Sequence, residues 1–477
     1  MDSPNLEDPT CFPHPSGITT KSIIFILGLI WSYMMVEKTF LDILITRLVK
    51  AWKAYDLRIS AIVVSSHEAA TFLFVAIFSY ATDVNRSRLG RFRMVVFSTT
   101  VCIAGLMLYV MTETDDKGQP NLWLFFYPAL GLLGLAQAGH KVTLRVFLED
   151  QFRRRRVETN DKERRRCTKF WWFLVSVVAA IFAQLEPLTG FPFKTLALAL
   201  ISVMMFFFIV FFLGFEQYHN GEIDNDEAPH QGITWRMIII LLRLWVCLSS
   251  LSLVSASGST FFLLEATSLV AHHDNLFAIL ILANLVRCVE IMVSELSRWA
   301  TKQLGFRISI VELMRIGMGI GCCILCCNIA SIAADDRGGG VMSVYWLIPQ
   351  FFLLGLVRGF AKDGFQSVFE SNVHPPYKIH GRCLGALTTG FGSLLSILCV
   401  YIFGMKQFYI FGSKQFQWFQ YDLENSRLNK YYNFLSILSV WNGFLYVDLM
   451  RSYVGTWFLM EDAEMQKAYL DHKQKMG

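Results

Sequence analysis

The chain has 477 residues, of which 54% are apolar and only 17% are charged, and its formal net charge is +5. Soluble domains usually contain about 25% charged residues, so this composition excludes an ordinary soluble domain. The apolar residues occur in runs of roughly 20 residues, the length that a helix needs to cross about 30 Å of hydrocarbon. The sequence therefore predicts an all-α, polytopic membrane protein.

About twelve apolar runs follow one another along the chain. An acidic, turn-rich stretch, EQYHNGEIDNDEAPHQG, separates the sixth run from the seventh. It predicts an N-terminal six-helix half at 1–215, a cytosolic inter-half loop at 216–234, and a C-terminal six-helix half with a cytosolic tail at 235–477. Two packed six-helix halves around a midplane cavity are the architecture of the major facilitator superfamily. The predicted spans lie near 20–45, 58–82, 92–112, 122–148, 168–186, 193–215, 235–262, 275–298, 308–333, 342–371, 381–404 and 429–450.

Lys and Arg are distributed unevenly between alternate loops. If the N-terminus is inside, the inner loops contain the basic segment 86–93 and the run RRRRVETNDKERRR at 153–166, whereas outer loops contain fewer cations, with an exception at 47–53. Cytosolic loops usually carry the excess of Lys and Arg, so both termini are predicted to be cytosolic. The run at 153–166 is bracketed by spans, and we interpret it as a membrane-surface loop rather than a nucleic-acid site.

Ionisable residues occur inside many of the predicted spans. A charge at the bilayer centre costs roughly 2.5–3.5 kcal/mol on insertion scales, so such residues usually face a bundle interior or water and are paired. In the fourth span, Lys141, Arg145 and Glu149 recur at every fourth residue and form one stripe of a helix. A helix-to-helix clamp explains any one of these residues equally well, but both signs in both halves favour a polar solute pathway. The other spans contribute Glu37, Lys38, Asp42, His67, Glu68, Arg243, Glu265, Arg287, Glu290, Glu312, Arg315, Arg358, Lys362 and Glu370.

Catalytic and metal-binding patterns are missing from the sequence. It contains no HExxH, no GxSxG and no P-loop. The segment CCILCC at 322–327 has a metal-like spacing, but no His or carboxylate lies within it, and we interpret it as the packing face of a buried helix. The compact group at 272–274 is too short for a catalytic array. We therefore expect neither an enzyme nor a cofactor or metal.

The segment GHKVTLRVFLEDQF at 139–152 resembles the fourth-helix motif of the plant nitrate/peptide transporter family, the proton-dependent oligopeptide transporters. The resemblance continues in register over nearly the whole chain. The chain is identified from these motifs as a divergent member of that family within the major facilitator superfamily. The further segments similar to the family are FWWF at 170–173, GSTFF at 258–262, RIGMGI at 315–320, YWLIPQFFLLG at 345–355 and LNKYYNFLSILSVWNGFLYV at 428–447.

The resemblance implies an alternating-access transporter of a small solute, either nitrate, a peptide or another organic anion. Lys141 corresponds to the fourth-helix Lys that pairs with a first-helix E-x-x-E-R motif in proton coupling. That motif reads Met34-Met35-Val36-Glu37-Lys38 here, so one of its two carboxylates is retained. The tenth-helix Glu of the family falls on Ser367. The implied proton-coupling group is Glu37, Lys38 and Lys141, and the two missing carboxylates leave proton symport open.

Further residues are candidates for the walls of the solute cavity. The cations among them supply positive potential and favour an anionic or carboxylate-bearing solute, whereas core packing is the alternative interpretation of the aromatic residues. A second functional class, a transport-impaired paralogue acting as a binding or regulatory membrane protein, also stays open. Either the plasma membrane or the vacuolar membrane is compatible with the sequence. The cavity candidates are His140, Arg145, Phe261, Phe262, Trp346, Arg358, Lys362 and Ser367.

Overall fold

The computed structural model is helical along nearly all of the chain that it describes. No strand occurs in these residues, which confirms the predicted all-α fold. Twelve long helices follow one another in the described segments, and we refer to α1–α6 as the N-terminal half and to α7–α12 as the C-terminal half. The structure describes residues 17–41, 44, 57–84, 88–112, 125–152, 161–189, 193–215, 218, 235–270, 276–304, 308–336, 343–361, 380–404, 418–420, 423 and 426–476.

The first helix of each half contains a π-helical turn that lies within an apolar segment. The N-terminal half consists of α1 (Gly17–Val36, continued by the π-turn Glu37–Leu41), α2 (Leu57–Val84), α3 (Arg88–Met111), α4 (Tyr127–Phe152), α5 (Asp161–Thr189) and α6 (Phe193–Leu213). The C-terminal half consists of α7 (Trp235–Ser257, the π-turn Gly258–Phe262 and Leu263–Val270), α8 (Leu276–Leu304), α9 (Ile308–Asp336), α10 (the 3-10 turn Val344–Leu347 and Ile348–Ala361), α11 (His380–Gly404) and α12 (Leu428–Met476).

Ten of these helices are long and apolar enough to cross a membrane, counting only the described residues. The two others are α4 and α12. Helix α4 carries the stripe of charged residues, yet Ala129, Leu133 and Ala136 in its first half are buried among neighbouring helices. Its composition is therefore that of a bundle helix with one polar face. The protein is a multi-pass integral membrane protein.

Helix α12 is longer than the predicted span, which was expected to end near residue 450. It continues for 49 residues to Met476. The sequence MEDAEMQKAYLDHKQKM at 460–476 contains no Gly or Pro and is rich in Ala, Glu, Gln and Lys, which are strong helix formers. The end of hydrophobicity therefore marks where the apolar span stops and not where the helix stops. The predicted extension of the tenth span, at 362–371, lies outside the described residues.

Helices pack mainly within each half, and the most extensive contacts between the halves form two seams. In the N-terminal half, α4 packs against α2 and α3, and α1 packs against α5 and α6. In the C-terminal half, α10 packs against α8 and α9, while α12 packs against α7 and α9. Between the halves, α2 lies along α11 in the most extensive of all helix contacts, and α5 touches α8. Any movement of one half against the other must therefore rearrange the α2–α11 and α5–α8 seams.

Glycine allows the closest approach in the middle of α11. A Cβ atom on Gly392 would lie 2.3 Å from Ser252 Cβ, 2.5 Å from the Ser252 carbonyl carbon and 2.8 Å from Leu253 N, and the last two atoms are backbone of α7. Gly390 faces the other way, where an added Cβ would lie 3.0 Å from Phe72 Cβ on α2. Because these two positions have no side chain, α11 can pack closely against both α7 and α2.

We expect Gly392→Ala to destabilise the protein by about 1–3 kcal/mol, because the added methyl group forces α7 and α11 apart. The matched control is Gly385→Ala on the same helix, where nothing lies within 4 Å of the added Cβ. That change should be neutral or stabilising by about 0.5–1 kcal/mol through helix propensity. Thermal unfolding of the two purified variants in detergent compares them. Equal melting temperatures would contradict the close α7–α11 contact.

Candidate functional site

The π-turn at the end of α1 places two charged side chains inside the bundle. Glu37 and Lys38 are both buried in this turn, with 4% and 3% of their surface exposed. A π-turn inserts one extra residue into an α-helix and is frequent at functional sites. Met34, which occupies the position of the first carboxylate of the E-x-x-E-R motif, is buried one turn earlier. The retained carboxylate of the motif is therefore an internal group.

Two residues of α4 contact the Glu37 carboxylate from within the N-terminal half. Lys141 Nζ lies 3.8 Å from Glu37 Oε1, and Gln137 Nε2 donates a hydrogen bond to the same oxygen at 3.3 Å. Gln137 and Lys141 are four residues apart, so they share one face of α4. Lys141 and Glu37 thus form an ion pair between α4 and α1.

A cation from the C-terminal half reaches the same oxygen. Arg287 Nη2 of α8 donates to Glu37 Oε1 at 3.3 Å. Three residues earlier on α8, Asn284 Oδ1 accepts a hydrogen bond from Lys38 Nζ at 3.3 Å. The π-turn of α1 is therefore joined to α8 by two polar contacts made by adjacent residues. We call Glu37, Lys38, Gln137, Lys141, Asn284 and Arg287 the inter-half cluster.

The electrostatics of the inter-half cluster follow from its burial. A carboxylate removed from water is stable only when charged or hydrogen-bonding partners compensate for its lost hydration. Glu37 has two cations and one amide donor around one oxygen. The side chains of Lys141 and Arg287 are 33% and 36% exposed, so the two cations stand between the buried carboxylate and accessible space. Lys141 and Arg287 are therefore more exposed than the carboxylate that they contact.

Arg358 lies on α10, which packs against α8, the helix that carries Arg287. Its Nε donates to Ser255 Oγ and its Nη2 donates to the Ser255 carbonyl oxygen, both at 2.8 Å. These two bonds fix the guanidinium of α10 against α7. The remaining cation predicted on this helix, Lys362, lies outside the described residues, as does Ser367.

The structure also describes three other predicted cavity residues, which are His140, Arg145 and Trp346. His140 is fully buried between α1, α3 and α4, where it hydrogen-bonds Thr99 Oγ1 at 3.0 Å and its ring lies 4.5 Å from that of Tyr33. Arg145 is exposed, and Trp346 has 69% of its surface exposed.

Phe261 and Phe262 belong to the π-turn of α7 and are buried in an aromatic cluster. Phe261 stacks on Phe419 with ring centroids 5.0 Å apart, and Phe262 meets Tyr432 edge-on at 5.4 Å. Tyr431 adds a further edge-on contact to Phe261 at 5.2 Å. These rings pack the C-terminal half around the turn.

Sequence reasoning did not single out Arg287, Asn284 or Gln137. Arg287 was recognised only as one of many charges inside predicted spans, because its partner is 250 residues away in the chain. Gln137 carried a usable signal, since it lies one helical turn before Lys141 on the polar stripe of α4. Asn284 carried none, because a single amide in an apolar helix is compatible with many roles. Among the described residues no group of three His, Cys, Asp or Glu could hold a metal ion.

The chain is similar to curated plant proteins over most of its length. It is 21% identical over 461 aligned residues to Protein NRT1/PTR FAMILY 5.14 of Arabidopsis thaliana, which covers 77% of this chain and 81% of that protein. It is 24% identical over 472 aligned residues to Protein NRT1/PTR FAMILY 5.10 of the same organism, with coverage of 77% and 82%. No protein-family model matches the chain. The predicted resemblance to nitrate/peptide transporter proteins is confirmed.

Solved structures of POT family transporters have the same fold. The peptide transporter POT in complex with sulfate superimposes with a TM-score of 0.69 at 13% identity and covers 93% of this chain and 96% of that chain. The POT family transporter PepTSo superimposes with a TM-score of 0.67 at 13% identity and covers 92% and 99%. At such low identity the match establishes the architecture alone. It confirms the predicted major-facilitator fold.

Proposed function

We propose that the chain is a membrane solute transporter that works by alternating access and carries a small anionic or carboxylate-bearing solute. The observation that carries this proposal is the contact of Glu37 with Arg287, which joins the two halves through charged groups. A charged solute can compete for an ion pair between the two halves and break it. A contact made only of apolar side chains offers a charged solute nothing to compete for. The solved structures of the same fold are transporters, which are not enzymes.

The proposed solute class follows from the cations of the inter-half cluster. Lys141 and Arg287 are partly exposed and contact the same carboxylate oxygen. A guanidinium and an ammonium are the side chains that bind carboxylate, nitrate or phosphate oxygens, and Arg does so with two parallel hydrogen bonds. An anionic solute would compete with Glu37 for these cations. Binding of the solute would thereby loosen the tie between α1 and α8.

Proton coupling through Glu37, Lys38 and Lys141 is part of the proposal. When a solute draws the cations away, the isolated Glu37 carboxylate becomes an expensive buried charge, and taking up a proton removes that cost. One carboxylate carries one proton, so coupling through this group is limited to a single proton per cycle. Arg145, Arg358, Lys362 and Ser367, together with His140, Phe261, Phe262 and Trp346, remain proposed cavity residues.

The proposed orientation places both termini and the loop 153–166 in the cytosol, in the plasma membrane or the vacuolar membrane. The support is the excess of Lys and Arg in alternate loops. Single cysteines introduced in 153–160 and in 271–275 should react with a membrane-impermeant reagent from opposite sides of sealed vesicles. Labelling of both segments from the same side would overturn this topology.

The test of the function is uptake by proteoliposomes that contain the purified chain. Labelled nitrate, a dipeptide and an organic carboxylate are supplied at acidic and at neutral external pH. We expect saturable uptake of at least one anionic solute, competed by its unlabelled form. Uptake that rises with an inward proton gradient supports coupling, and uptake that ignores the gradient indicates a facilitator.

A transport-impaired binding protein is the second candidate function. The observation that favours it is Met34, a buried apolar side chain where the transporter family has a carboxylate. Saturable binding of a solute to the purified protein, with no flux in the same vesicles, would establish this alternative. Flux above that of empty liposomes would exclude it.

A further inference from the structure

Glu68 is a second carboxylate at the contact between the halves. It lies on α2, and its Oε2 accepts a hydrogen bond from Ser393 Oγ of α11 at 3.3 Å. The side chain of Ser259, in the π-turn of α7, also interacts with this carboxylate, and its hydroxyl donates to the Ala256 carbonyl oxygen at 2.9 Å. Glu68 therefore belongs to the N-terminal half but finds its hydroxyl partners in the C-terminal half.

Two cations from different halves act on Glu68. Arg358 of α10 and Lys141 of α4 both interact electrostatically with its carboxylate. Arg358 is held in place by its two hydrogen bonds to Ser255. The groups that face Glu68 are thus Ser393 from α11, Ser259 from α7, Arg358 from α10 and Lys141 from α4. On its own helix the neighbouring His67 turns toward α4, where Nδ1 contacts the Leu130 carbonyl oxygen at 3.2 Å.

Lys141 is shared between the two carboxylates. Its Nζ lies 3.8 Å from Glu37 Oε1 and 5.3 Å from the centroid of the Phe72 ring. Phe72 is one turn beyond Glu68 on α2, so the ammonium lies over the same face of α2 that carries Glu68. A Lys side chain is a point charge on a flexible four-carbon stem, and it can change partners by rotating that stem.

We propose that Glu68 is a second proton-binding residue, and that Lys141 alternates between Glu37 and Glu68. This inference rests on the proposed transport function. When Lys141 pairs with Glu37, a proton from the aqueous phase binds a Glu68 oxygen and neutralises that carboxylate. When Lys141 moves to Glu68, the proton returns to water, and Glu37 retains Arg287 as its partner.

The exchange explains how a chain without two of its family's carboxylates can still couple to protons. Met34 and Ser367 stand where those carboxylates are found. Glu68 supplies an acidic group on a different helix, at a place where hydroxyl groups and a fixed guanidinium from the other half surround it. Each position of Lys141 is then associated with a different set of contacts between the halves. Proton binding and movement of the halves become linked through one side chain.

The test compares Glu68→Gln with Glu295→Gln, a matched removal of a carboxylate. Glu295 pairs with Lys169 at 3.7 Å on the α5–α8 seam, and 54% of its side chain is exposed. In proteoliposomes, accumulation driven by a proton gradient should fall at least about tenfold in Glu68→Gln, a larger loss than that of solute exchange without a gradient. Glu295→Gln should behave as the wild-type protein does. The double variant Glu37→Gln, Glu68→Gln should lose all gradient-driven accumulation.

A second measurement does not depend on transport. Infrared difference spectra of the purified protein between acidic and neutral pH should contain a protonated-carboxyl band that is missing in Glu68→Gln. Ser393→Ala, which removes the hydroxyl donor, should move the midpoint pH of that band and keeps the proposal testable if Glu68→Gln does not fold. If the wild-type protein moves no solute, the transport proposal fails, and the band alone decides whether Glu68 binds a proton. Wild-type accumulation and an unchanged band in Glu68→Gln would overturn the proposal.

Discussion

Lys141→Ala is expected to abolish solute flux while the protein still reaches the membrane at normal abundance. Lys141 is the group that contacts Glu37 and lies over Phe72 of α2. Its loss therefore removes the positive charge that is proposed to alternate between Glu37 and Glu68. Folding should survive, because Gln137 and Arg287 continue to satisfy the Glu37 carboxylate. We expect flux to fall at least about a hundredfold, in the range of removing a proton-transferring group.

The control for Lys141→Ala is Lys169→Ala, which removes a cation of the same type from a half-exposed ion pair on the α5–α8 seam. Exposed pairs contribute little, about 0.2–1 kcal/mol, so this variant should keep its flux. Initial uptake rates and the amount of protein in the membrane are measured for both variants. Unchanged flux in Lys141→Ala would show that Lys141 takes no part in transport, and loss of the protein from the membrane would assign it a purely structural role.

Arg287→Ala is expected to release α8 from α1 and to shift the two halves toward arrangements in which they are separated at this point. Breaking a fully buried ion pair costs about 3–5 kcal/mol. Because about a third of the Arg287 side chain is exposed, we reduce that figure to about 1–2 kcal/mol, which corresponds to a change of roughly tenfold in the equilibrium. Flux should fall as well, since one of the two alternating states becomes underpopulated.

Pulsed electron paramagnetic resonance measures this shift. Spin labels are placed at Ile24 on α1 and Met292 on α8, which are both exposed and therefore tolerate a label. The distance distribution should broaden toward longer distances in Arg287→Ala and stay closer to that of the wild-type protein in Arg287→Lys, which keeps the charge but not the planar fork. Superimposable distributions in all three proteins would mean that the contact between Arg287 and Glu37 does not hold the halves together.

The helices of the fold could be predicted from the sequence because each one corresponds to a continuous run of apolar residues that is long enough to cross a membrane. The pairing of Glu37 with Lys141 came instead from the resemblance to a family, since nothing local connects α1 to α4. The stripe on α4 indicated that the helix has a polar face, but it did not indicate which residues of other helices contact that face. Such partners are fixed by how helices pack, which a single sequence does not record.

Arg287 shows the limit most clearly. The rule that charges inside a membrane are paired correctly implied a partner, but several carboxylates in the predicted spans were equally acceptable. Only the approach of α8 to the end of α1 selects Glu37. The length of α12 could not be predicted from hydropathy either, because backbone hydrogen bonds continue a helix after its apolar residues end. For Phe261 and Phe262 the sequence left both a cavity wall and core packing open, and the structure places both rings in an aromatic cluster.

The two π-turns have a mechanical consequence. Each half begins with a helix whose regular ladder of hydrogen bonds is interrupted, in α1 at Glu37–Leu41 and in α7 at Gly258–Phe262. Helices often bend at π-turns, because the regular hydrogen-bond pattern is interrupted there. Glu37 belongs to the first of these π-turns, and Ser259 belongs to the second. A ligand that binds either side chain would therefore act at a point where the helix can bend.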